Sequence, residues 1–130
     1  RPDHESEQWV AAVAKDAGAP HSVLEKTRHG DRNVQIKLRD LDQWKGRTPV
    51  LVDDIISSGR TMLEAVRLLS CQQWPAPVCI AVHGLFADEA DVLLAQAGAR
   101  VVTSNSVPHL TNVIDLTALL ADAIKQIVSA

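Results

Sequence analysis

The sequence predicts an α/β domain: a central, mostly parallel sheet flanked by helices, with an antiparallel strand pair as a flap. Three observations carry this. Val50-Leu51-Val52 and residues 78–82 are short, continuous apolar runs, as expected of strands covered on both faces of a parallel sheet. Strand and helix patterns alternate from residue 50 to residue 128, which implies right-handed crossovers. Residues 33–38 instead alternate strictly, with Val34, Ile36 and Leu38 on one side and Gln35 and Lys37 on the other. That is the pattern of a half-solvated antiparallel strand. The 130 residues suffice for one domain with a real core.

Taken in order, residues 3–18 read as a loop and a helix. Ser6 is the expected cap, and Trp9, Val10, Val13 and Ala14 share one face. Gly18 and Pro20 stop the helix. Residues 21–25 read as a short strand around Val23 and Leu24, and residues 26–32 as a polar, basic, mobile loop. Residues 40–47 form a turn region with Trp44 and Gly46 before the central strand at 50–52. Residues 61–72 are a helix with Met62, Ala65, Val66 and Leu69 inward. The strand at 78–82 exits into His83-Gly84-Leu85-Phe86. A helix at 88–97 carries Ala90, Leu93, Leu94 and Ala97, and Gly98 ends it. A strand at 100–103 and a short one at Val113 and Ile114 lead to a final helix, residues 116–128. Its expected inward face is Leu116, Leu119, Leu120, Ala123, Ile124 and Ile127. Arg1-Pro2-Asp3 reads as the exit of a strand that precedes the chain, so a domain of a longer protein is expected.

Composition narrows function by exclusion. Aromatics are scarce, with Trp9, Trp44, Trp74, Phe86 and no tyrosine, which disfavours a stacking platform for nucleic acid. A net charge of −3 disfavours general binding to nucleic acid or anionic membranes. Cys71 and Cys79 read as idle thiols of a reducing, cytoplasmic protein. No CxxC or similar metal-ligand motif occurs, and no apolar run is long enough to span a bilayer.

The candidate site is residues 49–62. The apolar run ends in Asp53 and Asp54, and the small-residue loop Ser57-Ser58-Gly59 leads through Arg60 into a helix at Thr61. Loops at the carboxyl ends of parallel strands bind ligands, and a helix N-terminus offers unpaired N–H groups to an anion. Hydroxyls of Ser57, Ser58 and Thr61 add donors, and Gly59 permits a tight wrap. Two acids beside a phosphate cradle repel the phosphate unless they do something else, such as accept from vicinal hydroxyls or hold Mg²⁺. A sugar phosphate satisfies both halves. Lys26 and Arg28 form either a cationic pair on a closing loop or a solvated surface. Asp3 sits near the same edge or in a surface turn. His83 lines that edge or hydrogen-bonds within its turn; Asn105 and Ser106 line the same crevice or, the favoured reading, form an ordinary turn.

Residues 50–61 resemble the phosphoribosyl-diphosphate-binding signature of the type I phosphoribosyltransferase fold. That fold serves both phosphoribosyltransferases and ribose-phosphate pyrophosphokinases. Other segments are similar to the pyrophosphokinases: Pro2-Asp3, Glu25-Lys26-Thr27-Arg28, residues 81–86, and Thr103-Ser104-Asn105-Ser106-Val107-Pro108. The resemblance implies a single phosphoribosyltransferase-like domain over residues 1–130, the C-terminal half of a two-domain chain. It also implies that diphosphate passes from ATP to the 1-hydroxyl of ribose 5-phosphate, giving phosphoribosyl diphosphate and AMP. Under it, Lys26 and Arg28 are catalytic and Asp3 serves a Mg²⁺ site. Asp53, Asp54, Ser57, Ser58, Gly59, Arg60 and Thr61 hold ribose 5-phosphate. The full chain would be a cytoplasmic homo-oligomer, a dimer or higher, with no nucleic-acid or membrane partner, and the fragment alone would be inactive. Ser57 stands where the family commonly has Asp, Ser58 where it has Thr, and Arg60 where it has a small residue, which makes the loop more anion-friendly. Two alternatives stay open. A phosphoribosyltransferase acting on a nucleobase would need a base-binding hood, and no segment suggests one. A non-catalytic regulatory relative would be favoured by loss of Lys26, Arg28 or the acid pair, and all are present.

Overall fold

The computed structural model describes residues 4–23, 25–29, 33–37 and 41–129; of residues 4–6, 25–29 and 33–37 it describes the backbone. Helix α1 spans His4–Ala17, and strands β1 (Glu25–His29) and β2 (Asn33–Lys37) form an antiparallel pair. After a 3-10 turn at Asp42–Trp44 come β3 (Val50–Ile56), α2 (Arg60–Cys71), β4 (Val78–Gly84) and α3 (Ala90–Gln96). The chain continues through β5 (Arg100–Ser104), β6 (Asn112–Ile114) and α4 (Thr117–Val128). Strands β3, β4, β5 and β6 lie side by side in that order, all parallel. The expected parallel sheet, its helices and the separate antiparallel pair are therefore all present.

The core lies between β3, β4 and the helices α2 and α3. Ile56, Met62, Val66, Cys79, Ala81, Ala90, Leu94 and Ala99 cluster there, with Phe86 and Val101 packed against them. All four residues expected inward on α2 are buried. Burial pushes the Cys79 thiol up to about 11, because a thiolate there would lose its water.

Several expectations need correction. Strand β1 begins at Glu25, so Lys26 and Arg28 lie in a strand and not in a loop; Leu24, residues 30–32 and Leu38 lie outside the described residues. Helix α1 starts at His4, two residues before the expected cap Ser6, and only Ala14 of its apolar face is buried. Trp9 and Val13 remain about two-fifths exposed. Among the described residues strand β3 pairs only with β4, at the edge of the described sheet, and Val50, Leu51 and Val52 are not buried. On α3, Ala90 and Leu94 are buried but Leu93 is exposed. Helix α4 buries no residue, and Leu119, Leu120, Ile124 and Ile127 are each more than half exposed. Periodicity reports that a helix face is apolar; it does not report what covers that face. No helix among the described residues is long and apolar enough to cross a membrane.

Candidate functional site

The carboxyl ends of β3, β4 and β5 and the first turn of α2 share one edge of the sheet. Strand β3 runs further than its apolar run predicts, so Asp53 and Asp54 belong to the strand itself and not to the loop beyond it. Both are exposed. The Asp54 N–H donates to Asp53 Oδ1 at 2.8 Å, and the Ile55 N–H donates to Asp54 Oδ1 at 2.8 Å. A side-chain hydrogen bond with Asp53 holds the Asp54 carboxyl below its usual range, and the Ile55 N–H acts in the same direction. Asp54 is thus kept ionised, an acceptor-only group facing solvent.

Ile56 closes the strand and is buried, which anchors the loop that follows. Ser57 is exposed; Ser58, Gly59 and Thr61 are half-buried. Gly59 has φ +66°, and a Cβ there would sit 3.2 Å from the Ala90 Cβ and 3.5 Å from Ile56 Cγ2. Glycine is therefore demanded twice, by the left-handed backbone and by the approach of α3. No side chain caps α2, and its first backbone bond runs from the Leu63 N–H to the Gly59 carbonyl. The N–H groups of Arg60, Thr61 and Met62 accordingly have no carbonyl one turn earlier in the helix. Serine hydroxyls, helix-end N–H groups and the exposed Arg60 side chain are groups of the kind that bind an anion.

The next two strand exits add residues that the sequence leaves ambiguous. His83 lies opposite Ile55 in the register, and its Nδ1 is 2.8 Å from Ser106 Oγ. Ser106 Oγ donates to the Val82 carbonyl at 3.1 Å, and the Ser106 N–H donates to Ser104 Oγ at 3.2 Å. Asn105 is structural. Its Nδ2 donates to Asp115 Oδ1, and its Oδ1 accepts from the Leu116 N–H, both at 3.0 Å. The Thr117 N–H and Asn105 hold the Asp115 carboxyl below its usual range. Sequence reasoning missed the pair formed by His109 Nε2 and Asp91 Oδ2 at 3.2 Å, with the Phe86 ring 4.5 Å from the imidazole. No periodicity links residues so far apart; only Pro108-His109 after a strand exit hinted at it.

Of the remaining candidates, Lys26 pairs with Ile36 and Arg28 with Val34 across β1 and β2, and β2 lies beside α2. Their side chains, and all of Asp3, lie outside the described residues. Among the described residues no group of three or more His, Cys, Asp or Glu side chains is arranged to hold a metal ion.

Comparison with known proteins gives this geometry a family. The phosphoribosyl transferase domain family matches residues 2–119. A ribose-phosphate pyrophosphokinase of Methanosarcina acetivorans is 33% identical over 97% of this chain and 44% of its own length. One of Sulfurisphaera tokodaii is 30% identical over 92% of this chain and 43% of its own. The crystal structure of phosphoribosylpyrophosphate synthetase from Mycobacterium smegmatis superposes with a TM-score of 0.70 at 29% identity, covering 95% of this chain and 40% of that one. The chain spans less than half the length of these relatives. It belongs to the phosphoribosyl transferase domain family, with a type I phosphoribosyltransferase-like fold, and within that family it is similar to the ribose-phosphate pyrophosphokinases.

Proposed function

We propose that this chain is the ribose-5-phosphate-binding half, the C-terminal one, of a ribose-phosphate diphosphokinase. The observation that carries the proposal is the single run of strand end, acid pair, small-residue loop and helix start over residues 53–61. Asp53 and Asp54 accept hydrogen bonds from the vicinal ribose hydroxyls. Ser57, Ser58, Gly59, Arg60 and Thr61 hold the 5-phosphate through hydroxyls, helix-end N–H groups and one guanidinium. The 1-hydroxyl oxygen then attacks the β-phosphorus of ATP and gives up its proton to solvent, the bond from that phosphorus to the α,β-bridging oxygen breaks, and AMP leaves with that oxygen. Such transfers depend mostly on positioning and on neutralising spread charge. Lys26 and Arg28, two positions apart on β1, are proposed to supply that neutralisation.

Mg²⁺ fits the donors present. Magnesium is held by one or two carboxylates together with substrate phosphates and not by an all-protein cage, and the exposed Asp53 and Asp54 offer hard oxygens without forming one. Asp3 is the carboxylate proposed to serve the Mg²⁺ site. When bound, the ion would neutralise phosphate charge. ATP contacts and other residues would come from the rest of a longer chain, a cytoplasmic homo-oligomer, so the fragment alone is proposed to be inactive.

The test is chemical-shift mapping of the chain with ribose 5-phosphate. Amide signals of residues 57–61 should move, and Asp53→Asn or Asp54→Asn should weaken binding about tenfold or more, the effect of losing a charged acceptor. Shifts confined to other parts of the chain would reject the assignment.

A further inference from the structure

The exits of β4 and β5 carry a second feature on the ligand edge, built from residues that the proposed function leaves without a role. His83 sits opposite Ile55, the residue after Asp54, on the strand paired with β3. Neighbouring strands lie about 4.8 Å apart, so the imidazole and the acid pair belong to one end of the crevice.

The ring is fixed on one side. Ser104 Oγ and Ser106 Oγ both donate to the Val82 carbonyl, using its two lone pairs. With its single proton on Val82, Ser106 Oγ has lone pairs to offer, and His83 Nδ1 lies 2.8 Å from it. The arrangement that serves every group has the Nδ1–H donating to Ser106. A neutral His83 then keeps its lone pair on Nε2 and accepts there. Ser104 is almost wholly buried, and its Oγ also accepts from the Ser106 N–H, so the anchor is rigid while His83 itself is exposed.

We propose that His83, held by Ser106, is a further specificity-determining residue of the sugar-phosphate site, accepting a hydrogen bond at Nε2 from one of the vicinal sugar hydroxyls. The inference rests on the ribose 5-phosphate reading and deepens it. With His83 included, the sugar end is rich in acceptors: the oxygens of Asp53 and Asp54 and one imidazole nitrogen. Such an end selects a ligand rich in hydroxyl donors and disfavours an analogue that lacks one, because an acceptor is then left without its partner.

Calorimetric titration of the chain with ribose 5-phosphate, 2-deoxyribose 5-phosphate and 3-deoxyribose 5-phosphate tests it. His83→Ala should weaken ribose 5-phosphate binding about fivefold to tenfold, the range of one hydrogen bond. It should leave unchanged the binding of the deoxy analogue that lacks the hydroxyl His83 accepts. Ser106→Ala should act in the same direction and more weakly. Equal loss for all three ligands makes His83 a structural residue and overturns the inference, as does no loss at all. Failure of the unsubstituted chain to bind any of the three overturns the ribose 5-phosphate reading, and this inference falls with it. Should His83→Ala not fold, ¹⁵N spectra of the unsubstituted chain decide: ribose 5-phosphate should shift the His83 Nε2 signal and leave that of His21 in place. A His83 signal that does not move overturns the inference.

Discussion

Gly84 is where one methyl group should cost most. It ends β4, and a Cβ built there would lie 2.5 Å from Phe86 Cε2, 2.9 Å from Phe86 Cζ and 2.8 Å from Thr103 Cγ2. Carbon atoms rest at about 3.5–4.0 Å, so both neighbours must retreat by roughly 1 Å. Neither is free to do so. Thr103 is fully buried, and its Oγ1 is bonded to Thr111 Oγ1 at 2.8 Å and to Asn112 Nδ2 at 2.9 Å. Phe86 sits at φ +51° with its ring tilted against His109, which is paired with Asp91. Overpacking of this kind costs about 1–3 kcal/mol, and disturbing a buried hydrogen bond adds about 1 kcal/mol. Gly84→Ala should therefore destabilise the chain by about 2–4 kcal/mol, lowering the urea midpoint by roughly 1–2 M. Gly46→Ala is the control: nothing lies within 4 Å of its Cβ position, so its midpoint should hardly change. A Gly84→Ala midpoint equal to that of the unsubstituted chain would refute the close approach of Phe86 and Thr103.

Three further outcomes are expected. Gly59→Ala should cost about 1–2 kcal/mol from the left-handed backbone alone, and amide spectra with ribose 5-phosphate should show weaker binding even where the variant is folded. Lys26→Ala, made in a longer parent chain, should lower kcat by about two to four orders of magnitude with little change in the KM for ribose 5-phosphate, as expected of a transition-state contact; a raised KM at unchanged kcat would make Lys26 a simple binding residue. The Cys79 thiol is raised from 9.0 to about 11, so the unfolded chain releases its proton first. Stability should be intact below about pH 9 and fall by about 2–3 kcal/mol by about pH 11, and urea midpoints of Cys79→Ala should lack that part of the fall.

What is legible in the sequence divides along physical lines. The α2 face is legible because Met62, Ala65, Val66 and Leu69 are both periodic and covered. The site motif is legible because acids, small residues and a helix start follow one another locally. Strand β1 escapes such reasoning because Glu25-Lys26-Thr27-Arg28-His29 holds no apolar residue; backbone pairing with β2 makes the strand, and backbone pairing leaves no periodic trace. Helix α3 is expected from residue 88, but Phe86, Asp88 and Glu89 have positive φ and delay it to Ala90. Nothing local announces a left-handed Phe or Glu. The burial of β3 and α4 is misjudged for another reason: apolarity is legible, whereas the neighbours that would cover it are a matter of tertiary arrangement. The His83–Ser106 and His109–Asp91 pairs join residues from different elements, so only the folded register brings them together.

The acid pair and the anion cradle oppose each other, and the balance gives the proposed site its direction. A phosphate on the loop would lie about 8 Å from a carboxylate two or three extended residues away. In water that repulsion is about 0.5 kcal/mol per pair of unit charges, and salt at physiological strength weakens it further. Against it stand a charge-assisted bond from Arg60, worth about 1.5–3 kcal/mol, and the dipole of α2, worth about 0.3–1 kcal/mol. The cradle therefore wins at the loop, although the chain carries a net charge of −3. A sugar phosphate bound the other way round would set its doubly charged end directly on Asp54, which is held ionised. At about 4 Å the same repulsion doubles even in bulk water and is several-fold larger near a protein surface. Without a bound cation, no group among the acceptors there would offset it. In the proposed site the carboxylates would thus do more than accept hydroxyls: by making the reversed pose costly, they would let the loop take a sugar phosphate in one orientation.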